Sequence, residues 1–407
     1  MTTPTLSRST KALSGVLAAA LALSACASSR SSVAVMDPPA PAPTMQPVAR
    51  PAAPARDTLP ALKDVFKDDF LVGVALNEAQ FSGEDPISDA VVKAQFNAIS
   101  PENTLKWEVV HPRPGVYDFS GADKYVAFGE RNHMFILGHN LIWHSQTPKW
   151  VFEDASGKPV GRDTLLARMR DHIMTVVGRY KGRIDGWDVV NEALNEDGTL
   201  RQSPWLKIIG PDYIAKAFQF AHEADPSAQL YYNDYSLANT PKRQGAIRLI
   251  RQLQSQGIPV AAVGMQGHVK MDWPSPALMD SAITDFAKLG IKVNISELDV
   301  DLLPRATRSM GADVATRAAL ADSVNPYRSG LPDSVQQALA RRYAGLFQVF
   351  VNHAADMDRV TFWNVTDRES WLNNWPVPGR TAYPLLFDRN GKPKPAFFAV
   401  VRVGEGR

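Results

Sequence analysis

Gly186-Trp187-Asp188-Val189-Val190-Asn191-Glu192-Ala193 is an apolar, strand-type run that closes on a carboxylate. Val293-Asn294-Ile295-Ser296-Glu297-Leu298-Asp299 repeats the pattern later in the chain. Near-continuous apolar runs of this length read as strands covered on both faces. Working outward, six more runs have the same character: Leu71–Asn77, Phe96–Glu102, Met134–Trp143, Gln229–Asp234, Val260–His268 and Val360–Asn364. The two opening runs take the bounds Ile184–Glu192 and Val293–Glu297. Amphipathic stretches separate them. Leu165, Leu166, Met169, Ile173, Val176, Val177 and Tyr180 recur at helical spacing before a stop at Gly182. Thr240-Pro241 and Ser275-Pro276 read as N-cap and first-turn proline, with Gly257 and Gly290 as the matching stops. Leu339, Tyr343, Leu346, Phe347 and Phe350 mark a helix before the eighth strand. Eight strand–helix alternations predict an α/β fold, a single (β/α)8 TIM barrel. An open doubly wound sheet is the alternative, but no Gly-x-Gly-x-x-Gly follows the first strand.

A barrel of this kind carries its site at the C-terminal mouth of the strands. Polar and aromatic side chains gather there: Glu102, Asn103 and Lys106 after the second strand; His139, Trp143 and His144 at the third; Asn191 and Glu192 at the fourth; Asn233, Asp234 and Tyr235 at the fifth. Gln266 and His268 follow at the sixth, Glu297 and Asp299 at the seventh, and Trp363, Asn364 and Trp371 at the eighth. Two carboxyl groups on different strands of one mouth can flank a bond, one giving a proton to the leaving oxygen while the other attacks carbon.

The chain has 407 residues, 45% of them apolar and 21% charged, as in a globular protein. Its net charge is +2, unevenly placed. Residues 1–56 hold five basic residues and one acid; removing them from the totals of 44 and 42 leaves 39 and 41. A body so close to neutral argues against a nucleic-acid partner. Arg8 and Lys11 precede an apolar stretch, Ala12 to Leu23, too short to span a bilayer, followed by Leu23-Ser24-Ala25-Cys26. An ordinary signal peptide is one reading. The other is a lipoprotein signal over 1–25, because Leu-Ser-Ala-Cys resembles a lipobox and Cys26 is the sole cysteine. Ala27, rather than aspartate, then resembles an outer-membrane address. Residues 26–58, rich in Ser, Ala and Pro, read as an extended tether, and 59–405 as the catalytic domain. Export is expected on either reading, with membrane contact only through a lipid at Cys26.

Several segments closely resemble glycoside hydrolase family 10, the retaining endo-β-1,4-xylanases. They are Ser100-Pro101-Glu102-Asn103-Thr104-Leu105-Lys106-Trp107, Gly138-His139-Asn140-Leu141-Ile142-Trp143-His144, Trp187-Asp188-Val189-Val190-Asn191-Glu192, Gly264-Met265-Gln266-Gly267-His268 and Ile295-Ser296-Glu297-Leu298-Asp299. Ser370-Trp371-Leu372-Asn373-Asn374-Trp375-Pro376 through Phe397 matches as well. The resemblance implies that Glu192 is general acid and then base, and that Glu297 is the nucleophile, with xylan and xylo-oligosaccharides as substrates. It implies a hydrogen bond from His268 to Glu297, with Asp299 orienting the imidazole and His144 in support. Glu102, Asn103, Lys106 and His139 would bind sugars on the non-reducing side, and Asn191 the 2-hydroxyl. Trp143, Gln266, Trp363 and Trp371 would shape the pocket. Asn233 and Tyr235 would lie on the leaving-group side. Trp187 and Trp205 read as packing residues. Apolar walls including Trp143, together with the charge of Glu297, are expected to raise the pKa of Glu192.

No cofactor or metal is expected, since the His139-x4-His144 spacing is not a zinc signature, and a monomer is expected. The long segment from Leu302 to about Asp333 departs from the short connections of a barrel and is expected to reshape the leaving-group side. A metal-dependent hydrolase, a sugar-binding protein on an inactive barrel and a cellulase of the same architecture are the competing readings.

Overall fold

A computed structural model describes residues 59–306 and 311–406. The signal segment 1–25, Cys26 and the tether 26–58 therefore lie outside the described residues.

Among the described residues, nine parallel strands run in chain order: β1 Leu71–Leu76, β2 Ala98–Pro101, β3 Phe135–Ile142, β4 Gly186–Asn191, β5 Gln229–Asp234, β6 Ala262–Met265, β7 His268–Lys270, β8 Lys292–Asp301 and β9 Met357–Phe362. Successive strands pair from β1 to β6, β6 pairs with β8, β8 with β9, and β9 returns to β1. The result is a closed eight-stranded (β/α)8 barrel, with β7 as a spur attached to β8 alone.

Two of the expected strands differ in a way that matters. The sixth run is not continuous. Gly267 adopts φ +82°, and a Cβ there would sit 2.7 Å from Cγ2 of Ile295. Only glycine takes this left-handed turn against a neighbouring strand without strain. The seventh strand does not stop at Glu297 but runs to Asp301, because β7 pairs with its outer half, His268 opposite Asp299 and Val269 opposite Val300. The break at Gly267 thus lifts His268 beside the carboxylates of β8.

The helices between the strands follow the apolar spacing. Arg162–Arg179 buries Leu165, Met169, Ile173, Val176 and Val177. Ser275 caps Pro276–Ala287 by accepting from the Leu278 amide at 3.2 Å, as its sequence position predicts. Thr240 is not a cap: it is the first residue of the helix Thr240–Ser255, and Asn239 takes the cap position without a side-chain bond. The helix Asp333–Asn352 packs Phe347 on Phe66 and Phe362, with ring centroids 5.2 and 6.0 Å apart. Each such buried ring contributes about 1.5–3 kcal/mol. Trp187 and Trp205 are fully buried packing residues, as expected. Trp205 also donates to the Trp143 carbonyl at 2.8 Å and so steadies the wall of the mouth.

Candidate active site

The loops beyond the strand ends form a cleft of about 150 Å³, lined by Glu102, Asn103, Lys106, His139, Trp143, Asn191, Glu192, Gln266, His268, Glu297, Trp363 and Trp371. The strand-end clustering read from sequence is therefore a real convergence. Gln146 completes the wall without a sequence signal of its own, and Ala312 and Val314 come from the long segment after β8 that the sequence singles out.

Both glutamates are almost wholly buried, at 4% and 5% exposure. An unbroken series of amides links them. Gln266 Nε2 donates to Glu192 Oε1 at 3.0 Å and to Asn191 Oδ1 at 3.4 Å. Asn233 Nδ2 donates to Asn191 Oδ1 at 3.0 Å and to Glu297 Oε1 at 2.8 Å. Ser296 Oγ in turn donates to Asn233 Oδ1 at 2.6 Å. The carboxyls are thereby set on one scaffold at one mouth of the barrel. Glu192 sits just beyond β4 with φ +57°, a left-handed conformation costing roughly 1–2 kcal/mol in a non-glycine residue. Its amide donates to the Asn233 carbonyl at 2.9 Å and its carbonyl accepts from Arg201 Nε at 3.2 Å, so neighbouring strand and loop hold the strained residue in place.

Burial raises Glu192 to a pKa of about 7, and the negative charge of Asp234 adds to it, with Glu297 a smaller contribution. The Gln266 and Trp143 hydrogen bonds oppose the rise. Trp143 therefore acts differently from expectation: its Nε1–H donates to Glu192 Oε2 at 2.8 Å and favours the anion rather than merely desolvating it. Burial also pushes Glu297 up, but the His268 hydrogen bond, with the electrostatic influence of His139 and of His268 behind it, holds it below the usual glutamate value. His268 bridges two acids, with Nε2 3.1 Å from Glu297 Oε2 and Nδ1 3.0 Å from Asp299 Oδ2. Burial opposes its protonation, and Asp299 overrules that, raising it to about 10. Trp371 Nε1 donates to the same Asp299 oxygen at 2.6 Å.

On the other flank, Lys106 Nζ donates to Asn103 Oδ1 and Gln146 Oε1 at 2.9 and 2.8 Å and lies 5.0 Å from the Trp143 ring centre. Burial lowers the Lys106 pKa and raises that of Glu102, which accepts from Asn364 Nδ2 at 3.2 Å. His139 Nδ1 is 2.8 Å from Asp188 Oδ2, an aspartate inside the β4 run whose partner is visible only in three dimensions.

Three expectations change. Asn233 is fully buried and bonded to Glu297; it belongs beneath the nucleophile position, not among leaving-group contacts. Tyr235 is only 5% exposed, with its hydroxyl accepting from Arg201 Nη2 at 2.6 Å and Lys242 Nζ 3.4 Å from its ring centre. That leaves little of the ring for a sugar. His144 lies outside the cleft wall, and burial, with the Arg201 charge, lowers it to about 4, so it is neutral at pH 7.

The family model for glycosyl hydrolase family 10 matches residues 61–403. Endo-1,4-beta-xylanase A of Xylanibacter ruminicola is 44% identical over 355 residues, covering 87% of this chain and 96% of the relative. A GH10 endoxylanase retrieved from a sugarcane soil metagenome superposes with a TM-score of 0.81 at 45% identity, covering 84% of this chain and 99% of that one. A Thermoanaerobacterium saccharolyticum intracellular xylanase, solved as a mutant with xylotriose, gives a TM-score of 0.74 at 36% identity, with 85% of this chain and 99% of that one covered. With a barrel whose mouth carries two glutamates on a shared amide scaffold, the chain belongs to glycosyl hydrolase family 10.

Proposed function

We propose that the chain hydrolyses β-1,4-xylosidic bonds within xylan and xylo-oligosaccharides, with retention of configuration through a covalent glycosyl-enzyme. The observation that carries this reading is the pair Glu192 and Glu297, similarly buried and joined by one amide scaffold, with Glu192 raised to about 7 and Glu297 held below its ordinary value. Glu297, anionic, attacks the anomeric carbon; Glu192 gives its proton to the departing glycosidic oxygen as the C–O bond breaks. Once Glu297 is esterified its charge is gone, and one of the influences raising Glu192 goes with it. Glu192 then accepts a proton from water, which attacks the same carbon and frees Glu297.

The remaining residues bind and orient. Asn191 Oδ1 is engaged by Asn233 and Gln266, which leaves the Asn191 Nδ2–H for the sugar 2-hydroxyl. Glu102, Asn103, Lys106 and His139 offer charged and polar contacts to sugars on the non-reducing side. Trp363 and Trp371 crowd the place of a hydroxymethyl group, which favours xylose over glucose. The relatives named as xylanases support the substrate class. A 2-fluoro xylobioside with a good leaving group should label Glu297, and Glu297→Ala should lose on the order of 10⁴-fold or more in kcat on xylan. A label on another residue, or an active Glu297→Ala variant, would overturn the assignment.

The same reading places residues 1–25 as a signal, 26–58 as a tether and 59–405 as the catalytic domain of a monomer, exported and held at the outer membrane through a lipid on Cys26. Leu23-Ser24-Ala25-Cys26 and the Pro- and Ala-rich stretch after it support this. Labelled palmitate should enter the full chain and not its Cys26→Ser variant. An unlabelled wild type ends the anchoring proposal.

A further inference from the structure

Tyr235 stands where an exposed leaving-group platform would be expected, and the structure covers it. Lys242 Nζ lies 3.4 Å from the ring centre. Gly311 comes so close that a Cβ on it would sit 2.7 Å from Tyr235 Cε2 and 2.9 Å from Glu196 Oε1. The segment that follows Gly311 reaches into the cleft, where Ala312 and Val314 share the wall with both glutamates. Asp313, between them, turns its side chain away and accepts from Arg201 Nη1 at 3.0 Å. Its carbonyl accepts from Trp375 Nε1 at 3.1 Å, and the Ala318 amide donates to the Pro376 carbonyl at 2.8 Å. Arg201 follows β4 and Trp375 follows β9, strands that lie four positions apart in the eight-membered ring. Asp313 is thus held from two sides of the mouth, by Arg201 through its side chain and by Trp375 through its carbonyl, and Ala318 ties the following turn to the β9 side.

We propose that residues 312–314 are the specificity-determining wall of the first leaving-group subsite, taking the place of the covered Tyr235 ring and set in position by the Asp313–Arg201 latch. The ligand is the xylosyl unit on the reducing side of the cleaved bond, and the wall meets it with the methyl groups of Ala312 and Val314. Such a wall selects by shape and apolar contact. Asp313 acts through the strap and is a positioning residue. Arg201 touches both the strap and the Glu192 carbonyl, so the strap and the proton donor share one support.

This inference rests on the xylanase reading, and two substrates separate the two. Xylotetraose needs the leaving-group subsite; 2,4-dinitrophenyl β-xylobioside, whose aglycone leaves without a sugar contact or a proton, does not. Asp313→Ala should raise KM and lower kcat/KM on xylotetraose about tenfold, and leave kcat/KM on the aryl xylobioside within about twofold. Val314→Gly, which leaves the latch intact, should show the same split to a smaller degree, and guards against a misfolded Asp313→Ala. Equal losses on both substrates, or no loss on either, in both variants would overturn the assignment of the strap. A wild type that cleaves neither substrate removes the xylanase reading and the strap with it.

Discussion

Glu192 and Glu297 are the same residue type, at nearly the same depth, and each accepts two side-chain hydrogen bonds, yet one is held near pKa 7 and the other below its ordinary value. The number of donors is equal; their charge is not. Glu192 receives an indole N–H and an amide, both neutral, and faces the carboxylate of Asp234. Glu297 receives an amide and the imidazolium of His268. Burial penalises both anions, and at Glu297 the His268 bond leads the influences that reverse that penalty. The comparison teaches that the division of labour between two identical side chains is made by the groups behind them.

The sharpest way to break this contrast is to remove the cation. His268→Asn should keep a hydrogen bond to Glu297 and lose the charge, lowering kcat roughly 10²-fold and moving the acidic limb of the kcat/KM profile to higher pH. An unchanged acidic limb would mean that the charge of His268 is not what keeps Glu297 ionised. Stability carries the same signature. The folded-state pKa of His268 is raised to about 10 from 6.5, so its contribution is fully present below about pH 6.5 and is lost as pH rises through 10. The variant should show less of that alkaline loss.

A smaller effect sharpens the other half. Burial is the main cause of the raised Glu192 pKa, and Asp234 is next. Catalysis by a protonated Glu192 falls as pH rises through about 7, which sets the basic limb. Asp234→Asn should move that limb down by about one unit, with only a modest change at the optimum. Asp234 also pairs with buried Lys242 at 2.8 Å. The double variant Asp234→Asn/Lys242→Met therefore tests whether the shift survives without an unpaired lysine. A basic limb that stays put in both would assign the raised pKa to burial alone.

Much of this site is legible in the chain because a barrel turns strand ends into one place. Glu102, His139, Glu192, Glu297 and Trp363 follow apolar runs, so their convergence needs only the closure of the sheet. The His268–Asp299 pairing was expected from the family resemblance, and the spur that sets it was not legible in the chain. Gln146, Arg201 and Asp313 lie in loops without periodicity, and their partners are 40, 34 and 112 residues away. The outcome for Asn233 and Tyr235 was hidden because sequence places them at a mouth but says nothing of what lies over them.

The family resemblance supplied the residues expected around the non-reducing sugars; by itself, the sequence determined the alternation of strands and helices and the two acids at strand ends. These depend on local apolar period and on position along a strand, both written in the order of residues. Tertiary structure alone decided which acid keeps its proton, because that depends on Asp234 and His268 approaching from other strands through a medium of low dielectric. The sequence marked the long segment after β8 for the leaving-group side, and tertiary structure decided which of its residues form the proposed wall, because the contacts that hold Asp313 join distant loops.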